Sequence, residues 1–227
     1  MDPRSKHSIR VWDLPTRLFH WCLAAAVVAL IGTAWLGGEW MTWHFRLGHT
    51  VLALLLFRLV WGFVGGHWSR FSRFLPSPGR AIGYLRGQTS VSATPGHNPL
   101  GALSVYAMLL ALIVQVISGL LSDDEIASTG PLAAFAPAAW VSRATRYHKD
   151  IGQWLVIALL VVHVLAVLHY LLVRRRRLVG AMVHGDLAVE DASRYQASRD
   201  DMPRRLLALA VLLACAAFAR WVYGLGG

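Results

Sequence analysis

Five long apolar stretches, with Arg58 as the one charged residue inside them, restrict the folds open to this chain. A helix needs about 20 such residues to cross the ~30 Å hydrocarbon core of a bilayer. In chain order the stretches are 21–38, 47–64, 100–122, 151–173 and 206–219. Four of them reach that length when their ends are counted, and the fifth does so if Arg220 snorkels to the interface. The pattern predicts an all-α integral membrane protein with a four-helix transmembrane bundle and a fifth, C-terminal transmembrane helix.

The charges of the chain are few and asymmetrically placed. Only 15% of the residues are charged, against roughly 25% in soluble domains, and the formal net charge is +10. Basic residues precede the first stretch, fill the loop after the second and follow the fourth, whereas the other loops carry Glu39 and the acidic run 123–125. Positive residues collect on the cytoplasmic side of membrane proteins. The asymmetry predicts a multi-pass protein with a cytoplasmic N-terminus, and it explains the basic charge without nucleic-acid binding.

Turn and capping residues divide the chain into four segments. Residues 1–15 are predicted as a cytoplasmic arm, 16–173 as the four-helix domain, 174–205 as a cytoplasmic linker and 206–227 as the C-terminal transmembrane helix. Pro15 suits the first turn of the first helix, and Asn98 followed by Pro99 suits the start of the third. The pattern also predicts an outer loop at 122–146 and a short interfacial helix at 80–86.

Four of the ten histidines fall at two matched depths of the predicted helices. A histidine inside an apolar span is costly unless it is paired or bound, and a neutral imidazole can ligate haem iron. His148 and His163 are fifteen residues apart, about 22 Å along the fourth helix and about 60° around it, so both can face one bundle interior. The topology places His44 level with His148, and His20 nearer the level of His163. The four residues predict two haem irons, one held by each pair.

Other histidines are alternatives to these ligands. His49 lies about 140° around the second helix from His44, so the two cannot face one haem edge. His169 lies about 240° beyond His163, close to the basic cluster that ends the fourth helix. Taken singly, His20 also suits an ordinary core or interfacial role, and His44 and His148 suit an interfacial one. His97 stands before the third helix, where it can reach a quinone head group or a haem propionate.

Two arginines and two cysteines bear on the cofactor. Arg58, near the inner end of the second helix, and Arg46, at its outer start, can each pair with a haem propionate or snorkel to nearby head groups. Cys22 and Cys215 belong to no CxxC or CxxCH motif. The sequence therefore gives no support for a structural disulfide or for a covalently attached c-type haem.

Three short motifs occur together. The first is Arg17-Leu18-Phe19-His20-Trp21, an R-x-x-H-W pattern. The second runs from His44 to Gly48 as H-x-x-x-G, with Arg58 ten residues after the glycine. The third joins Gly152-Gln153-Trp154 to His163, nine residues after the tryptophan. Over residues 9–185 this combination resembles the bacterial cytochrome b561 family, which includes the cytochrome b subunits of nickel-iron hydrogenases.

The resemblance implies ligands, cofactors and partners. It selects His44 over His49, although His148 stands fifteen residues before His163 where the family has thirteen or fourteen. It implies a cytochrome of the bacterial inner membrane, in contact with membrane lipid, that holds two bis-histidine b haems. Such a protein passes electrons between an outer partner, either a periplasmic cytochrome c or a hydrogenase-type dehydrogenase, and quinone.

Three functions follow as hypotheses. The first is an electron-transfer subunit. The second is a self-contained oxidoreductase that reacts with a small molecule such as superoxide at the outer haem. Whether the chain is itself an enzyme therefore stays open. The acidic run 123–125 would steer a basic protein partner, whereas Arg143, Arg146 and Lys149 beside His148 would attract an anion. The third hypothesis, a haem-free transporter with histidine proton relays, is disfavoured because the sequence has no inverted repeat.

Overall fold

The computed structural model describes residues 7–75, 77–87, 95–123, 128–189 and 191–226. In chain order its main elements are β1 (His7–Arg10), α1 (Leu14–Leu36), α2 (Trp40–Val64), α3 (Pro78–Leu85), α4 (Pro99–Leu120), α5 (Ala138–Arg146), a π-helical segment (Tyr147–Gly152), α6 (Gln153–Leu172), α7 (Leu178–His184), β2 (Asp186–Val189) and α8 (Met202–Gly224). Within these residues, five helices are long and apolar enough to cross a membrane: α1, α2, α4, the continuous run Ala138–Leu172, and α8. The predicted all-α membrane architecture is confirmed, and it includes the fifth helix.

Large hydrophobic side chains remain exposed along these helices. Phe63 is 74% exposed, Val162 61% and Leu165 59%. In water, each such side chain would forfeit about 1.5–3 kcal/mol of burial free energy, and contiguous apolar surface of this extent marks a membrane or partner interface. The exposed apolar faces therefore suit contact with lipid or with a partner.

Several helix ends lie where the sequence predicts them. Pro15 falls in the first turn of α1, and Gly37 and Gly38 adopt the left-handed φ values of 62° and 52° that link α1 to α2. Asn98 caps α4, because its Oδ1 accepts a hydrogen bond from the Gly101 amide at 2.7 Å. The short helix predicted at 80–86 is α3, which begins two residues earlier, after Ser77.

The prediction of a loop throughout 122–146 is wrong for its last nine residues. Residues Ala138–Arg146 form α5, which continues through the π-helical segment into α6. The prediction started the fourth helix after Arg146, because it followed apolar length alone. A helix can continue beyond the membrane with its charged side chains exposed to water, and Arg146 and Lys149 are both exposed.

The chain divides into two compact units. One, the sheet unit, comprises Met1–Leu18, Arg58–Tyr106 and Val162–Leu209. The other, the cavity unit, comprises Phe19–Phe57, Ala107–Val161 and Ala210–Gly227.

In the sheet unit, the N-terminal arm pairs with the linker that precedes α8. Strands β1 and β2 are antiparallel, with His7 opposite Val189 and Arg10 opposite Asp186. Arg10 forms an ion pair with Asp186 at 2.8 Å and another with Asp200, also at 2.8 Å. The arm and the linker, which the sequence presents as separate segments, therefore form one folded surface in the described residues.

Asp13 joins three parts of the sheet unit. Its carboxylate, 1% exposed, caps α1 by accepting from the Thr16 amide at 2.8 Å. It also accepts from the indole N–H of Trp61 at 3.2 Å and from the Gly66 amide at 2.8 Å, both near the end of α2. The Ser69 hydroxyl donates to it at 3.3 Å. These hydrogen bonds offset the cost of burying a carboxylate.

Candidate functional site

The cavity unit encloses a cavity of about 650 Å³. Its walls come from α1, α2, α4, the π-helical segment and the start of α6, and apolar side chains such as Leu30, Val51 and Leu112 line most of it. Small-molecule and cofactor sites have about 300–1,000 Å³ and are mostly apolar, with a few polar groups that orient the ligand. The cavity therefore has the size and lining of a cofactor site.

Two histidines face each other in this cavity. The ring centroids of His44, near the start of α2, and His148, in the π-helical segment, are 6.2 Å apart, with ring planes at 88°. A metal–imidazole bond is about 2 Å long, and a ring nitrogen lies about 1 Å from its centroid, so two imidazoles on opposite sides of one ion have centroids about 6 Å apart. The pair predicted from the sequence is thus brought together at a separation that fits a single iron.

Each of these rings is oriented by a backbone carbonyl and a hydroxyl group. The Nδ1 atom of His44 lies 3.1 Å from the Leu30 carbonyl oxygen and 3.3 Å from the Thr33 hydroxyl. A carbonyl only accepts, so Nδ1 carries the proton and Nε2 keeps a lone pair. Hydrogen bonding of this kind fixes the tautomer of a metal-binding histidine.

His148 repeats this arrangement. Its Nδ1 lies 2.9 Å from the Gln115 carbonyl oxygen and 3.3 Å from the Ser118 hydroxyl, both on α4. A carbon atom at Gly119 would lie 2.8 Å from Cε1 of the ring, so the ring occupies space that only glycine leaves open. These orienting residues were missed in the sequence, where a hydroxyl or glycine inside a helix carries no signal of the ring it meets.

The π-helical segment lies at His148 itself. A π turn holds one residue more than an α turn, and such turns are frequent at functional sites. His148 stands fifteen residues before His163, where the resembled pattern has thirteen or fourteen. The wide turn at Tyr147–Gly152 takes up an extra residue without ending the helix.

His49 also lines the cavity but has a different environment. Its Nδ1 lies 2.5 Å from the Phe45 carbonyl oxygen, and its ring stands edge-to-face on Tyr223 of α8, with centroids 4.4 Å apart. His44, by contrast, faces the second imidazole. The structure therefore opposes His44, and not His49, to the second imidazole, while the ring of His49 packs on the fifth helix and its Nε2 is buried without a hydrogen-bond partner among the described residues.

The second predicted pair divides between the two units. His20 lies in α1, is half-buried and contacts the edge of Trp21, with ring centroids 5.0 Å apart. His163 is half-buried in α6, whereas its alternative, His169, is exposed. The pairing of His20 with His163 stays a prediction.

In the sheet unit, Arg58 is buried without full hydrogen bonding. It is 4% exposed, and its guanidinium lies 4.6 Å from the ring centroid of Phe71. Its Nη1 is buried and has no hydrogen-bond partner among the described residues. Such a cation favours a bound anion, since leaving a buried donor unpaired is costly. Arg46 differs, because it is exposed and stacks on Trp43 at 5.0 Å.

His97 is buried between two aromatic rings of the sheet unit. Its centroid lies 4.3 Å from that of Phe74 and 4.9 Å from that of Trp12, and its Nδ1 has no hydrogen-bond partner in the described part of the chain. Burial, and secondarily the charge of Arg58, lower the pKa of His97 to about 3. The ring is therefore neutral at physiological pH.

We expect this neutral ring to make stability pH-dependent. Between its ordinary pKa of 6.5 and the folded value of about 3, the unfolded chain binds a proton at His97 that the folded chain does not, so stability falls as pH falls. From pH 7 to pH 5 the loss is about 2 kcal/mol, or roughly 4–8 °C in unfolding midpoint for a chain of this size. Thermal unfolding of the purified protein at the two pH values measures it.

The control for this effect is His97→Phe, which keeps an aromatic ring without a titratable group. Its unfolding midpoint should shift less between pH 7 and pH 5 than that of the wild type. An equal shift in both proteins would contradict a neutral, buried His97.

Charged residues flank His148 along the same helical run. Arg143, Arg146 and Lys149 are all exposed. Of the acidic run, Asp123 is held to the end of α5 through its amide, which donates to the Thr145 hydroxyl at 3.0 Å. Asp124 and Glu125 lie outside the described residues.

Comparison with known proteins identifies one family. The family described as prokaryotic cytochrome b561 matches residues 11–185. A probable Ni/Fe-hydrogenase B-type cytochrome subunit of Cupriavidus necator is 26% identical, over 80% of this chain and 87% of its own length. That of Azotobacter vinelandii is also 26% identical, over 80% and 89%. The Escherichia coli K12 Ni/Fe-hydrogenase 1 subunit is 24% identical, over 77% and 88%. No solved structure matches the chain.

Proposed function

Because the chain belongs to the prokaryotic cytochrome b561 family, we propose that it is an electron-transfer subunit that links a periplasmic redox partner to quinone through two b haems. Family membership and the five apolar helices make it a b-type cytochrome of the membrane. The relatives are described as hydrogenase cytochrome subunits, which supports a hydrogenase-type partner over a periplasmic cytochrome c.

The opposed imidazoles of His44 and His148 carry this proposal. They stand 6.2 Å apart across an apolar cavity, each with Nδ1 hydrogen-bonded to a carbonyl so that Nε2 is free to ligate. A bound haem supplies an iron that alternates between the ferric and ferrous states. A haem held by both histidines would offer small molecules no open position on its iron, and this favours electron transfer over oxygen chemistry.

The protein's own residues hold this site for electron transfer. The Leu30 and Gln115 carbonyls fix the ring orientations, which would keep both imidazoles in place around a bound haem. The apolar walls exclude water and so raise the energy of charge in the site. Together they tune the potential of the site through second-shell hydrogen bonding and burial.

For the second haem we propose His20 and His163 as ligands, with Arg58 as the partner of a haem propionate. The family resemblance supports the histidine pair. The buried, unpartnered Nη1 of Arg58 supports the propionate, since a guanidinium at the membrane surface would keep its donors in water.

A reduced-minus-oxidised absorption spectrum of the purified protein tests the function. It should show a b-type α band, and a pyridine haemochrome assay should find two haems per chain. Absence of the band would overturn both redox functions, and one haem per chain would remove the second site while leaving the first.

Replacing Gly119 with alanine should weaken the His44–His148 site alone. The added carbon would lie 2.8 Å from Cε1 of His148 and force the ring away from the Gln115 carbonyl. Disturbing an outer-shell partner typically costs about 10–100-fold in metal affinity. Haem content and a potentiometric titration of the variant measure the loss.

Gly32→Ala is the matched control, because a carbon atom there meets nothing within 4 Å. It should retain both haems with unchanged potentials. If Gly119→Ala also retained them unchanged, His148 would not be held where the ligand role requires.

An oxidoreductase that reacts with superoxide at the outer haem is the alternative function. The exposed cations Arg143, Arg146 and Lys149 beside His148 favour it, since they would attract an anion. Replacing all three with glutamine should slow haem reduction by superoxide at low ionic strength if this function holds. An unchanged rate would remove the observation that favours it.

A further inference from the structure

A small basic pocket lies in the sheet unit, apart from the candidate haem site. Its volume is about 110 Å³, and residues from two distant segments, 65–73 and 196–204, line it. One water molecule needs about 10–15 Å³ of such space, so the pocket holds a group of several atoms. Four of its lining residues are arginines, and none is acidic.

Most of this positive charge is unpaired. Arg199 forms an ion pair with Asp201 at 2.6 Å, and the described residues provide no such partner for Arg70, Arg73 or Arg204. The buried carboxylate of Asp13 accepts from the Gly66 amide and from the Thr16 amide, and the side chain of Asp200 pairs with Arg10 and Arg205, which do not line the pocket. Burial, followed by the charges of Arg73 and Arg70, lowers the pKa of His67 and so favours its neutral form.

Capping of α2 accounts for only part of this cluster. Arg204 donates from Nη1 to the Val64 carbonyl at 2.7 Å, and Arg70 donates from Nε to the Gly65 carbonyl at 2.9 Å. A guanidinium has five N–H groups, so each side chain keeps further donors after capping the helix. Arg73 has no capping bond among the described residues.

The two walls of the pocket are fixed to each other. The indole N–H of Trp68 donates to the Gln196 carbonyl at 2.8 Å, and the Trp68 amide donates to the Ser198 hydroxyl at 3.2 Å. The Ser198 hydroxyl in turn donates to the Val11 carbonyl at 2.7 Å. The two segments that carry the arginines are therefore held on opposite sides of the pocket before any ligand arrives, which lowers part of the entropic cost of binding, although the Arg73 and Arg199 side chains are exposed.

We propose that this pocket binds a phosphate group, held by Arg70, Arg73, Arg199 and Arg204. Guanidinium groups match the oxygens of phosphate in geometry and charge, and several of them around one small space suit a compact anion. The segment 196–204 lies beyond the residues that match the family, whereas Arg70 and Arg73 lie within them, so the pocket combines residues from both parts of the chain.

A phospholipid is the expected source of the phosphate. The pocket lies at the end of α2 and the start of α8, two helices that can cross the membrane, and basic pockets at such ends bind anionic head groups. Exposed apolar side chains stand next to it in the sequence, with Phe63 at 74% and Met202 at 65% exposure. They offer a surface for acyl chains beside a pocket for the head group.

Native mass spectrometry of the purified full-length protein tests this site. The protein is titrated with phosphatidylglycerol, with zwitterionic phosphatidylcholine and with inorganic phosphate. Arg73→Gln/Arg199→Gln is the test variant, because neither side chain caps α2. Arg80→Gln is the matched control, since Arg80 is exposed in α3 and does not line the pocket.

We expect the wild type and Arg80→Gln to bind phosphatidylglycerol at least about 10-fold more tightly than phosphatidylcholine, and the double variant to lose that preference. Displacement of the lipid by equimolar inorganic phosphate would assign the pocket to free phosphate, and failure to displace it would assign the pocket to lipid. A wild type without preference, or a double variant that keeps it, overturns the site.

Discussion

Replacing His44 or His148 with alanine is expected to remove one haem, the same one in both variants, and to leave the other in place. The two imidazoles face each other at 6.2 Å, a separation at which both would hold the iron of a single haem. Loss of either leaves that iron with one protein ligand. Haem content should fall from two per chain to one, and a potentiometric titration should lose the same component in each variant.

The matched control for this pair is His49→Ala. His49 lines the same cavity, but its ring rests on Tyr223 and does not face a second imidazole. The variant should keep both haems, and loss of one would transfer the ligand role from His44 to His49. Added imidazole should restore the missing haem in His148→Ala, which distinguishes a lost ligand from a misfolded protein.

Replacing His20 or His163 with alanine should remove the other haem. Each site has its own pair of ligands, so the component that survives in these two variants should be the one lost in His44→Ala. The expected loss is again one haem per chain, read from the haemochrome assay and the titration. This result would establish two independent sites.

The control here is His169→Ala, because His169 is exposed six residues further along α6. It should retain both haems. The pairing is wrong if His20→Ala and His163→Ala lose different components, or if His169→Ala loses one.

The sequence was sufficient to predict the five long apolar helices and the histidine pair that faces the cavity. Long apolar stretches are visible without tertiary information, because a membrane helix must satisfy its own backbone hydrogen bonds. Asn98 and Pro99 mark the start of α4 because capping is local in sequence. His44 and His148 could be matched because residue spacing along a helix fixes depth.

What could not be predicted depends on contacts between distant residues. The carbonyls of Leu30 and Gln115 orient the two ligands, but every residue has a carbonyl, and nothing in the sequence distinguishes these two. The space left at Gly119 is equally invisible until the ring of His148 lies against it. The pairing of β1 with β2 was missed because each strand has only four residues.

The small sheet also sets an order of events during synthesis. Arg10 and its partner Asp186 are 176 residues apart, and ribosomes add about 5–20 residues per second, so the first strand waits on the order of 10–30 s for its partner. During that interval four of the five membrane helices emerge while β1 exposes unpaired backbone groups. A chain halted after the fourth helix would therefore present a free strand edge for a chaperone or protease to recognise.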